Sequence, residues 1–135
     1  MLKKTKVLKL KEALTMNRED ALEKLAPTPE NIRALKGIFL NWHNYSLLLD
    51  TSSADKRVVP VAGTFFAVSQ INMALKSVPK KKRDMFFKHY VEGVSQSELA
   101  RNRKPTPVSQ ALVQWEIATA MEQILSFLAE ILVEE

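Results

Sequence analysis

Helix start signals follow one another closely in the second half of this chain, and they constrain its fold more than any other feature. Pro79 suits the first position of a helix, because the N–H that proline lacks would be unpaired there. Ser95 and Glu98 form a capping box, which predicts a second helix from about Gln96. Gly93 lies between these signals and is expected to end the first helix.

A third helix is predicted after a short turn. Pro105 disfavours a helical conformation at the residue before it, so the second helix is expected to end near Asn102. Thr106 is then the predicted N-cap, with Pro107 in the first helical position. Two helices joined by such a turn, with the small Ala100 where they cross, are typical of a DNA-reading helix-turn-helix.

A family pattern runs through the same stretch on Val78, Pro79, Arg83, Phe86, Phe87, Tyr90, Glu92, Gly93, Ser95, Glu98, Leu99 and Ala100. It resembles sigma-70 region 4, a promoter-reading domain of sigma factors. The layout of the whole chain is similar to that of small phage regulators of the ArpU type. The turn departs from the family, which usually has an apolar residue and a glycine where this chain has Arg103, Lys104 and Pro105. The resemblance implies an all-α fold with a C-terminal helix-turn-helix and a phage or prophage late-gene activator.

Helical spacing predicts which side of the third helix reads DNA. One apolar set is expected to face inward and consists of Val108, Ala111, Leu112 and Trp115. The outward set is then Thr106, Ser109, Gln110, Val113 and Gln114. Gln110 and Gln114 are the predicted base readers, because a glutamine amide donates and accepts hydrogen bonds on adenine at once.

Positive charge is concentrated on this segment. From Lys76 to Lys104 there are nine Lys or Arg and three acids, a net of +6, whereas the whole chain has a formal net of +5. This distribution indicates a polyanion-binding face, with double-stranded DNA as the partner. The alternative is a solvated helix start, although four positive charges there oppose the helix dipole. The predicted phosphate contacts are Lys80, Lys81, Lys82, Arg83, Ser95, Ser97, Arg101, Arg103 and Lys104.

Three parts of the chain are distinguished by composition. Residues 1–50 are predicted to form an N-terminal helical part, 51–60 a linker, and 61–135 the helix-turn-helix part with a long C-terminal helix. The linker is predicted from its Ser, Asp and Thr content and its closing proline.

Several further helices are predicted from caps and apolar spacing. The first covers residues 3–25, with Asn17 as an internal cap, and the second begins with Thr28 as cap and Pro29 in the first position. Another helix is predicted over residues 62–77.

Neither a catalytic site nor a metal or cofactor site is predicted. His43 and His89 lack neighbouring ligands at metal-binding spacing, and the chain has no cysteine. Its three glycines form no phosphate-binding loop. Glu122 and Glu130 interrupt the apolar C-terminal stretch, so no membrane span is expected. The sequence therefore predicts a cytoplasmic protein that is not an enzyme.

The C-terminal helix is apolar along two lines. The first is Val108, Ala111, Trp115, Ala118, Met121, Leu125, Leu128 and Leu132. The second is Val113, Ile117, Ala120, Ile124, Phe127 and Ile131. One buried stripe explains only one line, so the second is expected to pack on the N-terminal helices or to form a homodimer.

Two other classes of protein remain open at this point. A small terminase-like DNA-packaging subunit also combines a helix-turn-helix with helical regions. A protein-binding module of the polymerase or anti-sigma type would use the basic face on an acidic protein surface. RNA polymerase is accordingly a second partner to consider.

Overall fold

Helices dominate the architecture, and the chain belongs to the all-α class, as predicted. The computed structural model of the protein describes residues 16–134. In chain order the elements are α1 (Arg18–Lys24), α2 (Pro29–Leu40), α3 (Trp42–Ser46), a 3-10 turn (Ser52–Asp55), β1 (Val58–Val61), β2 (Thr64–Ala67), α4 (Val68–Lys76), α5 (Lys80–Tyr90), α6 (Gln96–Arg101) and α7 (Gln110–Glu134).

The predicted caps of the first two described helices are confirmed. The Asn17 side chain accepts a hydrogen bond from the backbone N–H three residues later (2.8 Å), and Thr28 caps α2 with Pro29 in its first turn. Asn31 is buried, and its side-chain amide donates to a carbonyl at the end of α1 (2.9 Å), which joins the two helices. The rest of the predicted first helix falls on residues 1–15, outside the described residues.

A β-hairpin replaces the last residues of the linker predicted over 51–60 and the start of the helix predicted over 62–77. β1 pairs antiparallel with β2, and Val59 lies opposite Phe66, both buried. Ala62 and Gly63 have φ values of 54° and 73°, as a type I′ hairpin turn requires. Residues 58–61 alternate between exposed and buried, a period of two that fits a strand and not a helix. Helix α4 therefore begins only at Val68.

The middle of the predicted helix-turn-helix largely forms as expected. α5 begins at Lys80 with Pro79 in the cap position, one residue later than predicted. The backbone turns at Gly93, where φ is 75°. Ser95 Oγ accepts a hydrogen bond from Glu98 N (3.1 Å), which confirms the predicted start of α6.

The long helix α7 lies against α1, α4, α5 and α6. Both of its apolar lines turn inward along its C-terminal half. Ile124 on the second line is fully buried, as are Leu125 and Leu128 on the first, while Phe127 is half-buried. Packing within one chain therefore covers Ile124, and a homodimer is not needed to bury it.

Candidate nucleic-acid interface

The connection between α6 and α7 is longer than the predicted turn. α7 begins at Gln110, and Ser109 Oγ accepts a hydrogen bond from Leu112 N (3.1 Å), so Ser109 is its cap. Thr106 and Pro107 lie in the connection, 102–109, and are exposed. The prediction of a helix start at Thr106 is therefore wrong. Thr106 and Ser109 have similar capping chemistry, and the tertiary contacts of the connection select Ser109.

Arg103 holds this connection against α7. Its Nη1 and Nη2 donate to the two carboxylate oxygens of Glu116 at 2.7 and 2.9 Å. The two side chains are only 8% and 7% exposed. The hydrogen bonds to Glu116 raise the pKa of Arg103, while burial acts in the opposite direction. Arg103 therefore has a structural role in the free chain, while its contact with phosphate stays a prediction.

The inward face of α7 also differs from the prediction. Val113 is fully buried, whereas Leu112 is 39% exposed and Trp115 55% exposed. The buried face includes Glu116, which is tolerated there because Arg103 neutralises it. A stripe that contains a carboxylate does not appear apolar in the sequence. Residue type alone gave no signal here, because Ala111 and Ala118 are exposed on α7 whereas Ala120 is buried.

The predicted base readers lie on the surface. Gln110 and Gln114 are both exposed in the first two turns of α7. Gln114 also lines a groove of about 380 Å³ between α2, α5, α6 and α7. Gln96, in the first turn of α6, lines the same groove, so the start of α6 lies near the exposed side of α7.

The basic start of α5 lies beside the same turns of α7. Lys82 Nζ is 4.7 Å from the centroid of the Trp115 ring, a cation–π contact. Lys80 and Lys81 are exposed next to it in the sequence. Arg83 is half-buried and donates to the carbonyl of Lys76 (3.3 Å), so it also supports the end of α4.

The remaining candidates are divided between two places. Ser95 and Ser97 are exposed at the start of α6, with their hydroxyl oxygens 3.2 Å apart. Arg101 and Lys104 are exposed at its other end. Lys104 lines a second groove in which basic and acidic side chains lie together, among them Lys88, Glu92 and Glu98. The structure thus brings Lys82 to α7, whereas Lys104 lies at the other end of α6 beside side chains of both charges.

Within residues 16–134, no group of three or more His, Asp or Glu side chains could hold a metal ion. None of the helices described is both long and apolar enough to cross a membrane. The chain matches no protein-family model, no curated protein and no solved structure.

Proposed function

We propose that this chain is a sequence-specific, double-stranded-DNA-binding transcription regulator that acts in the cytoplasm, of the phage or prophage activator type that its resemblance to sigma-70 region 4 suggests. One observation carries the proposal. The Lys82 ammonium lies 4.7 Å from the Trp115 ring, so the basic start of α5 adjoins the exposed turns of α7 that carry Gln110 and Gln114. Positive charge serves binding to the DNA backbone, and hydrogen-bonding amides serve the reading of bases, so a DNA-binding surface needs both in one region.

The free protein keeps an unfavourable arrangement of charge at the start of α5. Four basic residues, Lys80 to Arg83, occupy the first turn, where the helix dipole is positive. Pro79 offers no side-chain cap to the free N–H groups of that turn. Each cation at this end of a helix costs about 0.3–1 kcal/mol at an exposed position. Phosphate groups would offset this cost, which supports a polyanionic partner.

The dimensions of α7 suit insertion into DNA. An α-helix with its side chains is about 10–12 Å wide, and the major groove is about 12 Å wide. Gln110 and Gln114 are one helical turn apart and are exposed at the start of α7, before Ile117 and Met121 are buried on the same side, so both amides could reach neighbouring base edges. Ser97 and Arg101 at the two ends of α6 then supply backbone contacts that set the register.

Salt-dependent binding tests the proposal. Because Arg103 is paired with Glu116, the net charge of +6 between Lys76 and Lys104 falls to +5 for external partners. If about five phosphates are neutralised, log K should fall with log[salt] at a slope of about −4.5. The measurement is fluorescence anisotropy of a labelled duplex of mixed sequence across a salt series.

A matched pair of charge variants locates the interface. Lys81→Gln should reduce the slope by about 1. Arg18→Gln should leave it unchanged, because Arg18 pairs with Glu130 (3.1 Å) towards the other end of α7. Glu130 is about 22 Å along the helix from Trp115, at about 1.5 Å per residue. A slope near zero, or no duplex binding at low salt, would contradict the proposal, and selection from a random DNA pool without enrichment would contradict its sequence specificity.

A further inference from the structure

Trp115 and Leu112 form an exposed apolar pair beside the basic start of α5. They are three residues apart on α7 and are 55% and 39% exposed. The Lys82 ammonium lies over one face of the indole ring at 4.7 Å from its centroid, and more than half of the Trp115 residue is exposed. Tryptophan next to cationic side chains is common at binding interfaces.

The position of Trp115 around α7 defines what it would meet in a DNA complex. Successive residues in a helix are about 100° apart, so Trp115 lies about 100° from Gln114 and about 140° from Gln110. A helix nearly as wide as the major groove has its flanks close to the two sugar–phosphate backbones. When the amides face the bases, the flank with Trp115 therefore faces a backbone and not the base edges.

We propose that Trp115 and Lys82 together bind the sugar–phosphate backbone of one strand at the edge of the major groove. The indole N–H donates to a phosphate oxygen, and the Lys82 ammonium pairs with a neighbouring phosphate. This inference rests on the proposed function and adds to it a pair of residues that sets how α7 is oriented in the groove.

Two observations favour a DNA backbone over a protein surface as the occupant. Lys80 and Lys81 are exposed and adjacent in sequence to Lys82, and such closely spaced charges complement regularly spaced phosphates. The ring also restrains Lys82 before binding, so less side-chain entropy is lost when it pairs with an anion.

The two tryptophans of the chain allow a direct test on the unaltered protein. Trp42 is 4% exposed and Trp115 is 55% exposed, so a neutral quencher such as acrylamide reaches mainly Trp115. Adding a duplex of mixed sequence at low salt should reduce this quenching. The Trp115→Phe variant, in which only Trp42 emits, should show no such reduction.

The outcomes separate the inference from the proposed function. If anisotropy shows that the duplex binds while the quenching of Trp115 is unchanged, the inference is overturned, the proposed function stands, and this surface is left to a protein partner. If no duplex binds, the proposed function fails and the inference fails with it.

Substitutions give a second, independent measurement. Trp115→Ala should weaken duplex binding about five- to tenfold, and Trp115→Phe, which keeps a ring but loses the N–H, about two- to threefold. Phe65→Ala is the matched control, because Phe65 is a 69% exposed aromatic residue on β2. In a double-mutant cycle, the fold-loss of duplex affinity in the double variant should be smaller than the product of the fold-losses for Lys82→Ala and Trp115→Ala. Unchanged affinity of a normally helical Trp115→Ala protein would overturn the inference.

Discussion

Replacing Arg103 by Ala should severely destabilise the fold. The substitution removes both donors, at 2.7 and 2.9 Å, from a Glu116 carboxylate that is only 7% exposed. The carboxylate would then be buried without its partner. The change also releases the connection 102–109 from α7, although a backbone hydrogen bond from Val108 N to Ala100 O (3.0 Å) still joins it to α6.

The size of the effect follows from the burial of the pair. Removing one partner of a buried ion pair typically costs about 3–5 kcal/mol, because the remaining charge loses its hydrogen bonds without regaining water. Domains of this size are stable by about 5–15 kcal/mol, so a large share of the stability would be lost. The corresponding fall in Tm is roughly 10–20 °C.

Urea unfolding followed by circular dichroism measures this loss. Lys104→Ala is the matched control, because Lys104 is the adjacent basic residue and is exposed. Its effect on the free energy of unfolding should stay within about 0.5 kcal/mol. If Arg103→Ala costs no more than Lys104→Ala, the argument for a buried, fully paired Arg103 is wrong.

A double substitution separates stability from DNA contact. Arg103→Met with Glu116→Leu replaces the ion pair by apolar side chains of similar volume, which is often neutral or stabilising for a buried pair. If Arg103 only positions the connection, this variant should regain both stability and duplex affinity. Recovered stability with lost affinity would show instead that Arg103 contacts the duplex.

Three further substitutions test other parts of the structure. Gln110→Ala should cost roughly 1–3 kcal/mol on a selected site and little on random duplex, measured by anisotropy, and equal losses would show that another residue reads the bases. Ser109→Ala should lower the free energy of unfolding, measured with urea, by about 1 kcal/mol, whereas Thr106→Ala should have little effect. A larger loss for Thr106→Ala would show that α7 begins at Thr106. Changing Ile124 and Phe127 together to Glu should unfold the chain, because Ile124 is fully buried. A variant that stays folded and has half the original mass in light scattering would instead show that these residues form a dimer interface.

Most features decided within one helical turn were predictable from the sequence, and an exception is the start of α7, which Ser109 caps instead of Thr106. The caps Asn17, Thr28 and Ser95 each bond a backbone N–H three residues later, so residue type and spacing are sufficient to find them. Gln110 and Gln114 are exposed as predicted, although the inward set from which their position was inferred is wrong for Leu112 and Trp115.

Features that depend on distant contacts were not predictable in the same way. The Arg103–Glu116 pair joins residues thirteen positions apart, and it brings a carboxylate onto the buried face of α7. From the sequence alone, this pair is not evident, and the larger apolar side chain of Trp115 is a stronger candidate for the core than that of Val113. The hairpin was missed because the apolar residues of 58–67 were assigned to a linker and to a helix, although their burial alternates along β1.

The central place of α7 has a consequence for how the protein acquires its fold during synthesis. Four earlier helices, α1, α4, α5 and α6, pack on it, and it is the last of the described helices to leave the ribosome. Until then the apolar surfaces that these helices turn towards α7 are uncovered, and the closure of α1 onto α7 must join segments that are far apart in the chain. A nascent chain that stops before α7 therefore exposes aggregation-prone helix faces instead of forming a smaller folded unit, and these helices depend on the synthesis of α7 for their packing.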